Sequence, residues 1–290
     1  MNKEKRTFEE VTKEWLDYQE DKVSHASLGA YKNRLATILP IIGAFDVGDN
    51  QIEPMLSDIL KDSNPRTKGA IMQLVKRVIA FAEKGYEAKS VPKEKEDIEL
   101  TPKEEFDILK EYVTKNVNPN NLGIICVMYT GLKIGELCSL KWSDIDLTRG
   151  IIHVRKNMKR VKAYEGDETK TIIEEININP RDIPIPTKLI RLFLSNSRRL
   201  EQYLVTGTIN STEPRTLLYR LQAICRKLGI KKITYNNIRD YFAVNALQNG
   251  INSLVLAEIL GIEYCVTQKY SNLARKYIDP EMEVEKLNNI

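Results

Sequence analysis

The stretch "KSVPKEKEDIEL", Lys89 to Leu100, constrains the chain more than any other. A proline and a run of charges interrupt every apolar periodicity there, so no single helix face or strand face continues through it. The 290 residues therefore fold around two cores, one on each side of this break, rather than around one. The expected boundaries are a helical domain over 1–90, a linker over 91–100 and a second domain over 101–290. A charged linker stays extended and solvated, which gives the two halves reach.

The first half reads as helix throughout. Thr7 and Glu10 form a T-x-x-E capping box, in which hydroxyl and carboxylate each satisfy a backbone N–H left open by the helix start. Phe8, Val11, Trp15 and Tyr18 follow on one apolar face. Further helices are expected from about Ser27 to Pro40, with Leu28, Tyr31, Leu35 and Ile38 inward, around Ile52 to Leu60, and from about Thr67 to Glu87.

The second half is mixed. "TPKEEF" restarts a helix, with Thr101 as N-cap and Pro102 at the first helical position. "TGLKIGELCSLKWSDIDL", Thr130 to Leu147, reads as a helix end, a tight glycine turn and a short helix. "GIIHVRK", "KTIIEEINI" and "DIPIP" alternate as strands, which predicts a small three-stranded sheet. Helices return over Thr187–Leu204, Glu213–Leu228, Thr234–Asn249 and Ser253–Leu260, with a short one near Thr267. Gly229, Gly250 and Gly261 stand where C-caps belong.

Composition narrows the chemistry. Only His25 and His153 are present, far apart, so a histidine-rich metal site is excluded and no cofactor is expected. The cysteines Cys126, Cys138, Cys225 and Cys265 form no C-x-x-C pair and read as buried, reduced thiols. No apolar run reaches the roughly 18 residues of a membrane span, and "MNKEKRTFEE" has no secretory h-region, so a cytoplasmic protein with no membrane partner is expected. Residues 1–98 carry 16 Lys+Arg against 17 Asp+Glu, and the remainder 28 against 23. The bias of the second half, 28 − 23 = +5, is compatible with nucleic acid.

Two pieces together resemble the tyrosine recombinase (phage integrase) family: "TGLKIGELCSLKWSDIDL", and "ITYNNIRDYFAVNALQNG" followed by "LAEILGIEYCVTQKYSN". The family carries a Thr-Gly-Leu-Arg-(Ile/Val)-(Gly/Ser)-Glu box, a His-x-x-Arg helix, Leu-Gly-His, and then a nucleophilic Tyr. The resemblance implies a mainly α (α+β) fold. A SAM-like, core-binding helical domain precedes a catalytic-type domain with a small antiparallel sheet. In that family Tyr attacks a DNA phosphate without a metal, two arginines hold the phosphate oxygens, a β-turn lysine protonates the leaving oxygen and histidines move protons.

Carried onto this chain, the pattern is degraded. Lys133 stands for the first arginine and lacks its planar fork. Asn236 stands for the first histidine and cannot titrate. Arg239 keeps the second arginine, as either a phosphate ligand or a structural ion-pair partner. Ile262 stands for the second histidine. The β-turn lysine falls near Glu175, with Lys156, Lys159 and Lys170 as substitutes. Tyr270, eight residues after Ile262, is the residue at the nucleophile's place.

The resemblance implies binding of double-stranded DNA with no expected catalytic residues. Candidate contacts are Lys32, Arg34, Arg66, Lys68, Lys76 and Arg77 in the first half. In the second they are Lys133, Arg155, Lys156, Lys159, Arg160, Arg226, Lys231, Lys232 and Arg239. The expectation is a sequence-specific repressor of a prophage or mobile element, with a divergent active recombinase using Tyr270 as the alternative. The tail "ARKYIDPEMEVEKLNNI" is a candidate for self-association, and a peptide or protein regulator is a further expected partner.

Overall fold

The computed structural model describes residues 5–23, 25–84, 100–165, 168–196 and 198–275, with the side chains of 25–26, 84, 160–165 and 168–172 left aside. Most of the expected linker and the tail beyond Arg275 lie outside the described residues. The chain packs as two compact units, one built on Met1–Glu94 and the other on Lys95–Arg160 with Thr171–Ile290.

The first unit holds α1 (Phe8–Glu20), α2 (His25–Ile42), α3 (Ile52–Ile59) and α4 (Pro65–Lys84). The capping box of α1 forms as read: Glu10 accepts the Thr7 N–H at 2.9 Å and Thr7 accepts the Glu10 N–H at 3.3 Å. Phe8, Val11 and Trp15 of α1 meet Leu35, Ile38 and Ile42 of α2, Ile52 and Leu56 of α3, and Leu74 and Val78 of α4. The helix expected to stop at Pro40 runs on to Ile42. Burial of Ile42 on the same face rewards the extra half-turn, and a proline removes one ladder bond without ending the helix. α4 starts earlier than expected, with Asn64 Oδ1 accepting the Arg66 N–H at 2.9 Å.

The second unit is arranged around α6 (Pro119–Thr130), a helix apolar on nearly every side and buried along its length. It packs against α5 (Lys103–Lys115), α8 (Thr187–Asn196), α9 (Pro214–Leu228) and α10 (Tyr235–Gln248). Thr101 is not the cap of α5. Pro102 stays extended at ψ 138° and takes the N-cap place, so the helix opens at Lys103. α7 (Ile134–Ser139) follows the Gly131 turn, and α11 (Ser253–Leu260) and α12 (Tyr264–Arg275) close the unit. α12 is longer than the short helix expected near Thr267.

The sheet has three strands in the order β1 (Ile145–Asp146), β2 (Ile151–Glu165), β3 (Glu168–Pro184). β1 pairs antiparallel with β2, Ile145 opposite Ile152. Its membership differs from the sequence expectation. "KTIIEEINI" and the first three residues of "DIPIP" belong to one strand, β3, which ends at Pro184 and lies at the margin of the sheet, where a proline such as Pro180 is tolerated. α8 stops at Asn196 rather than Leu204. Ser195 and Asn196 turn back to donate to the Arg191 and Leu192 carbonyls, at 3.0 and 2.9 Å, competing with continued helix. Cys126, Cys138 and Cys225 are buried thiols as read, whereas Cys265 is exposed, on the outer side of α12 with Tyr264 and Val266.

Candidate nucleic-acid interface

The site grows from the turn between α6 and α7. Gly131 caps α6 in the left-handed conformation at φ 63°, and a Cβ there would sit 2.5 Å from the Phe242 ring. The chain then extends through Lys133, the N-cap of α7. Glu136, three residues on, accepts the Lys133 N–H at 2.9 Å and closes the helix start. Its carboxylate is almost wholly buried, so it needs cations around it.

Those cations come from three elements. Arg181 on β3 grips both Glu136 oxygens, at 2.9 and 2.7 Å, and donates through Nε to the Ile259 carbonyl at 3.0 Å. Arg239 on α10 is 6% exposed and donates to the carbonyls of Gly131 and Leu260. Lys133 reaches the Gly261 carbonyl at 3.1 Å and approaches Glu136 at 3.7 Å. Three successive carbonyls at the end of α11 thus receive three cationic donors. That is where a helix leaves acceptors open and where its dipole favours positive charge. Burial pulls the Lys133 ammonium below its ordinary pKa, and Glu136's charge opposes that pull. Burial lowers the Arg239 guanidinium likewise.

Lys133 and Arg239, picked from the sequence, are therefore brought together. Tyr270 is close by through Asp240, whose Oδ1 accepts the phenol O–H at 2.8 Å. Tyr270 is 3% exposed. Burial, then the Asp240 charge and hydrogen bond, push its phenol well above the ordinary tyrosine range, while burial raises the Asp240 carboxyl. Asn236 is exposed on α10, and Ile262 packs against the apolar cluster of α10 to α12. Glu175 lies beside Lys156, Nζ to Oε1 2.8 Å, so the acid at the β-turn place and its nearest substitute lysine neutralise one another. The side chains of Arg160 and Lys170 lie outside the described residues.

The remaining basic candidates divide. Lys68 donates to the Ser57 carbonyl at 2.9 Å and Lys76 pairs with Glu53 at 3.2 Å. Arg77 donates to Tyr31 Oη at 3.0 Å and lies over the Trp15 and Tyr31 rings. Arg66 donates its main-chain N–H to the Asn64 cap. Lys32, Arg155, Lys159, Arg226, Lys231 and Lys232 are exposed and Arg34 is partly so.

Sequence reading missed Arg181, Glu136 and Asp240 as parts of the site. Arg181 carried one signal: a lone guanidinium in the apolar alternation of "RDIPIP", at a strand end headed for the core, where a charge needs a partner. Nothing in the sequence says that the partner is Glu136.

The phage integrase family model matches residues 99–276. The tyrosine recombinase XerA of Pyrococcus furiosus is 28% identical over 188 residues, 62% of this chain and 59% of its own length. The matches span about two fifths to three fifths of the first curated relatives' lengths. The Tn1549 transposon integrase in complex with transposon right end DNA superposes at a TM-score of 0.70 and 17% identity, covering 91% of this chain and 94% of that one. Lambda integrase bound to DNA gives 0.58 and 16%, over 88% and 91%. With the larger part of its length inside that model and this architecture, the chain belongs to the phage integrase family and has the tyrosine recombinase fold.

Proposed function

We propose that this protein binds double-stranded DNA sequence-specifically and no longer cuts it, acting as a transcriptional repressor that holds a prophage or other mobile element silent. Its degenerate integrase fold resembles that of the master repressor of SPβ-like Bacillus prophages, and that resemblance implies a role in holding lysogeny. The observation that carries the loss of cutting is the Tyr270 hydroxyl, buried and donated to Asp240. Burial and the Asp240 charge hold this phenol in its neutral form, and a neutral phenol packed inside the protein is a poor nucleophile. Around it a lysine replaces a guanidinium, and Asn236 and Ile262 offer no titrating group. One lost transition-state donor costs about 10²–10³ in rate, and a lost general acid or base about 10²–10⁴.

DNA binding has no such dependence on one tyrosine. Lys133 keeps a half-exposed ammonium beside Arg239, and an arriving phosphate supplies the negative charge that favours its protonated form. Exposed Arg155, Lys159, Lys231 and Lys232 add phosphate contacts that position without reading bases. Binding is expected to weaken with salt, by a slope of about −0.9 per contact. DNA-bound relatives of the same fold support double-stranded DNA as the partner. The place of action is the host cytoplasm, with self-association through the tail and a peptide or protein regulator as further partners.

The names of the curated relatives favour a second reading, a divergent active recombinase using Tyr270. A nicked suicide duplex separates the two. Repression alone predicts no covalent protein–DNA adduct. An adduct that disappears in Tyr270→Phe establishes the recombinase.

A further inference from the structure

Lys133 is held at two points. Its main-chain N–H is fixed by Glu136 and its ammonium is aimed by the Gly261 carbonyl. Arg181 controls both. Its fork holds the Glu136 carboxylate, and its Nε–H holds the Ile259 carbonyl two residues before Gly261. The guanidinium also lies against Gly261 itself, where a Cβ would come within 2.9 Å of Cζ. Arg181 is only 10% exposed, and its donors face protein oxygens on two other elements.

We propose that Arg181 is the positioning residue of the phosphate anchor, acting on DNA through Lys133 and making no contact with DNA itself. The proposal rests on the reading that Lys133 holds a phosphate. A bidentate guanidinium–carboxylate pair is the geometry that fixes direction as well as distance. Without it the start of α7 and the end of α11 lose their shared reference, and the ammonium loses its aim.

The test is a binding series on a labelled mixed-sequence duplex across a range of salt. It uses the full chain, Lys133→Ala, Arg181→Ala and the double variant. Lys133→Ala is expected to weaken binding about tenfold and to lower the salt slope by about one. Arg181→Ala should show both changes, and the double variant should fall no more than about twofold below either. Additive losses near a hundredfold, with the slope down by about two, mean that Arg181 touches DNA itself and overturn the proposal, leaving the anchor reading intact. Wild-type binding by a folded Arg181→Ala also overturns it alone. A Lys133→Ala variant that binds like wild type overturns the anchor reading and the proposal together. If Arg181→Ala loses its helical circular dichroism, Arg181→Ala combined with Glu136→Gln removes the orphaned carboxylate. Restored folding with binding still about tenfold weak supports positioning; restored binding overturns it.

Discussion

The start of α1 and the start of α7 use the same device to opposite ends. At each, a glutamate three residues into the helix accepts the N-cap N–H at 2.9 Å. Glu10 does this at the surface, with Thr7 returning the bond, and serves only its own helix. Glu136 does it in the interior and is also gripped by Arg181, from 45 residues away. What a local motif contributes is thus set by where it is buried and by what else it holds.

Glu136→Ala tests that difference most severely. It strands the Arg181 guanidinium in the interior, at a cost of about 3–5 kcal/mol, and thermal melting should fall by about 10 °C. A melt unchanged from that of Glu10→Ala breaks the comparison. Gly261→Ala comes next. The residue sits at φ 58° with Arg181 against it, so about 1–3 kcal/mol of destabilisation is expected in denaturant titration. Thr7→Ala removes the surface cap and should cost about 1 kcal/mol. The smallest effect belongs to Lys156→Ala, which breaks a partly exposed pair with Glu175 and should cost no more than about 1 kcal/mol.

A pH series sharpens the surface end of the same comparison. The Thr7 N–H and hydroxyl hold the Glu10 carboxyl below its ordinary value. With the folded pKa the lower one, this contribution is present above the unfolded carboxylate pKa and is lost as pH falls through the folded value. Wild type and Glu10→Gln should therefore converge in melting temperature on acidification. A gap that stays constant removes Glu10 as the titrating group.

What could be read in advance follows the same division. The α1 box, the Gly131 turn and the C-cap at Gly261 are local, each fixed by residues within one turn of chain. The pairing of Arg181 with Glu136, of Lys133 with the Gly261 carbonyl, and of Tyr270 with Asp240 depends on how separate elements pack, and neighbouring residues do not encode it. Arg77 makes the point in the first unit. A basic residue on a helix reads as a DNA-contact candidate, and the sequence does not say that this guanidinium lies over Trp15 and Tyr31, brought to it by α1 and α2. Cys265 differs from the other cysteines for a simpler reason: α12 is amphipathic, and its register puts this thiol on the wet side.

Pro180 has a consequence for molecules meeting one another. A strand of 17 residues at a sheet margin offers a row of open backbone groups on which another copy's strand could assemble. At 180 the strand has no N–H to give, and the exposed Glu174 and Asp182 carry charge on either side of it. An incoming strand would have to bend around the ring and desolvate those charges. The same residue that lets β3 run unbroken within its own molecule thus makes it a poor template for aggregation.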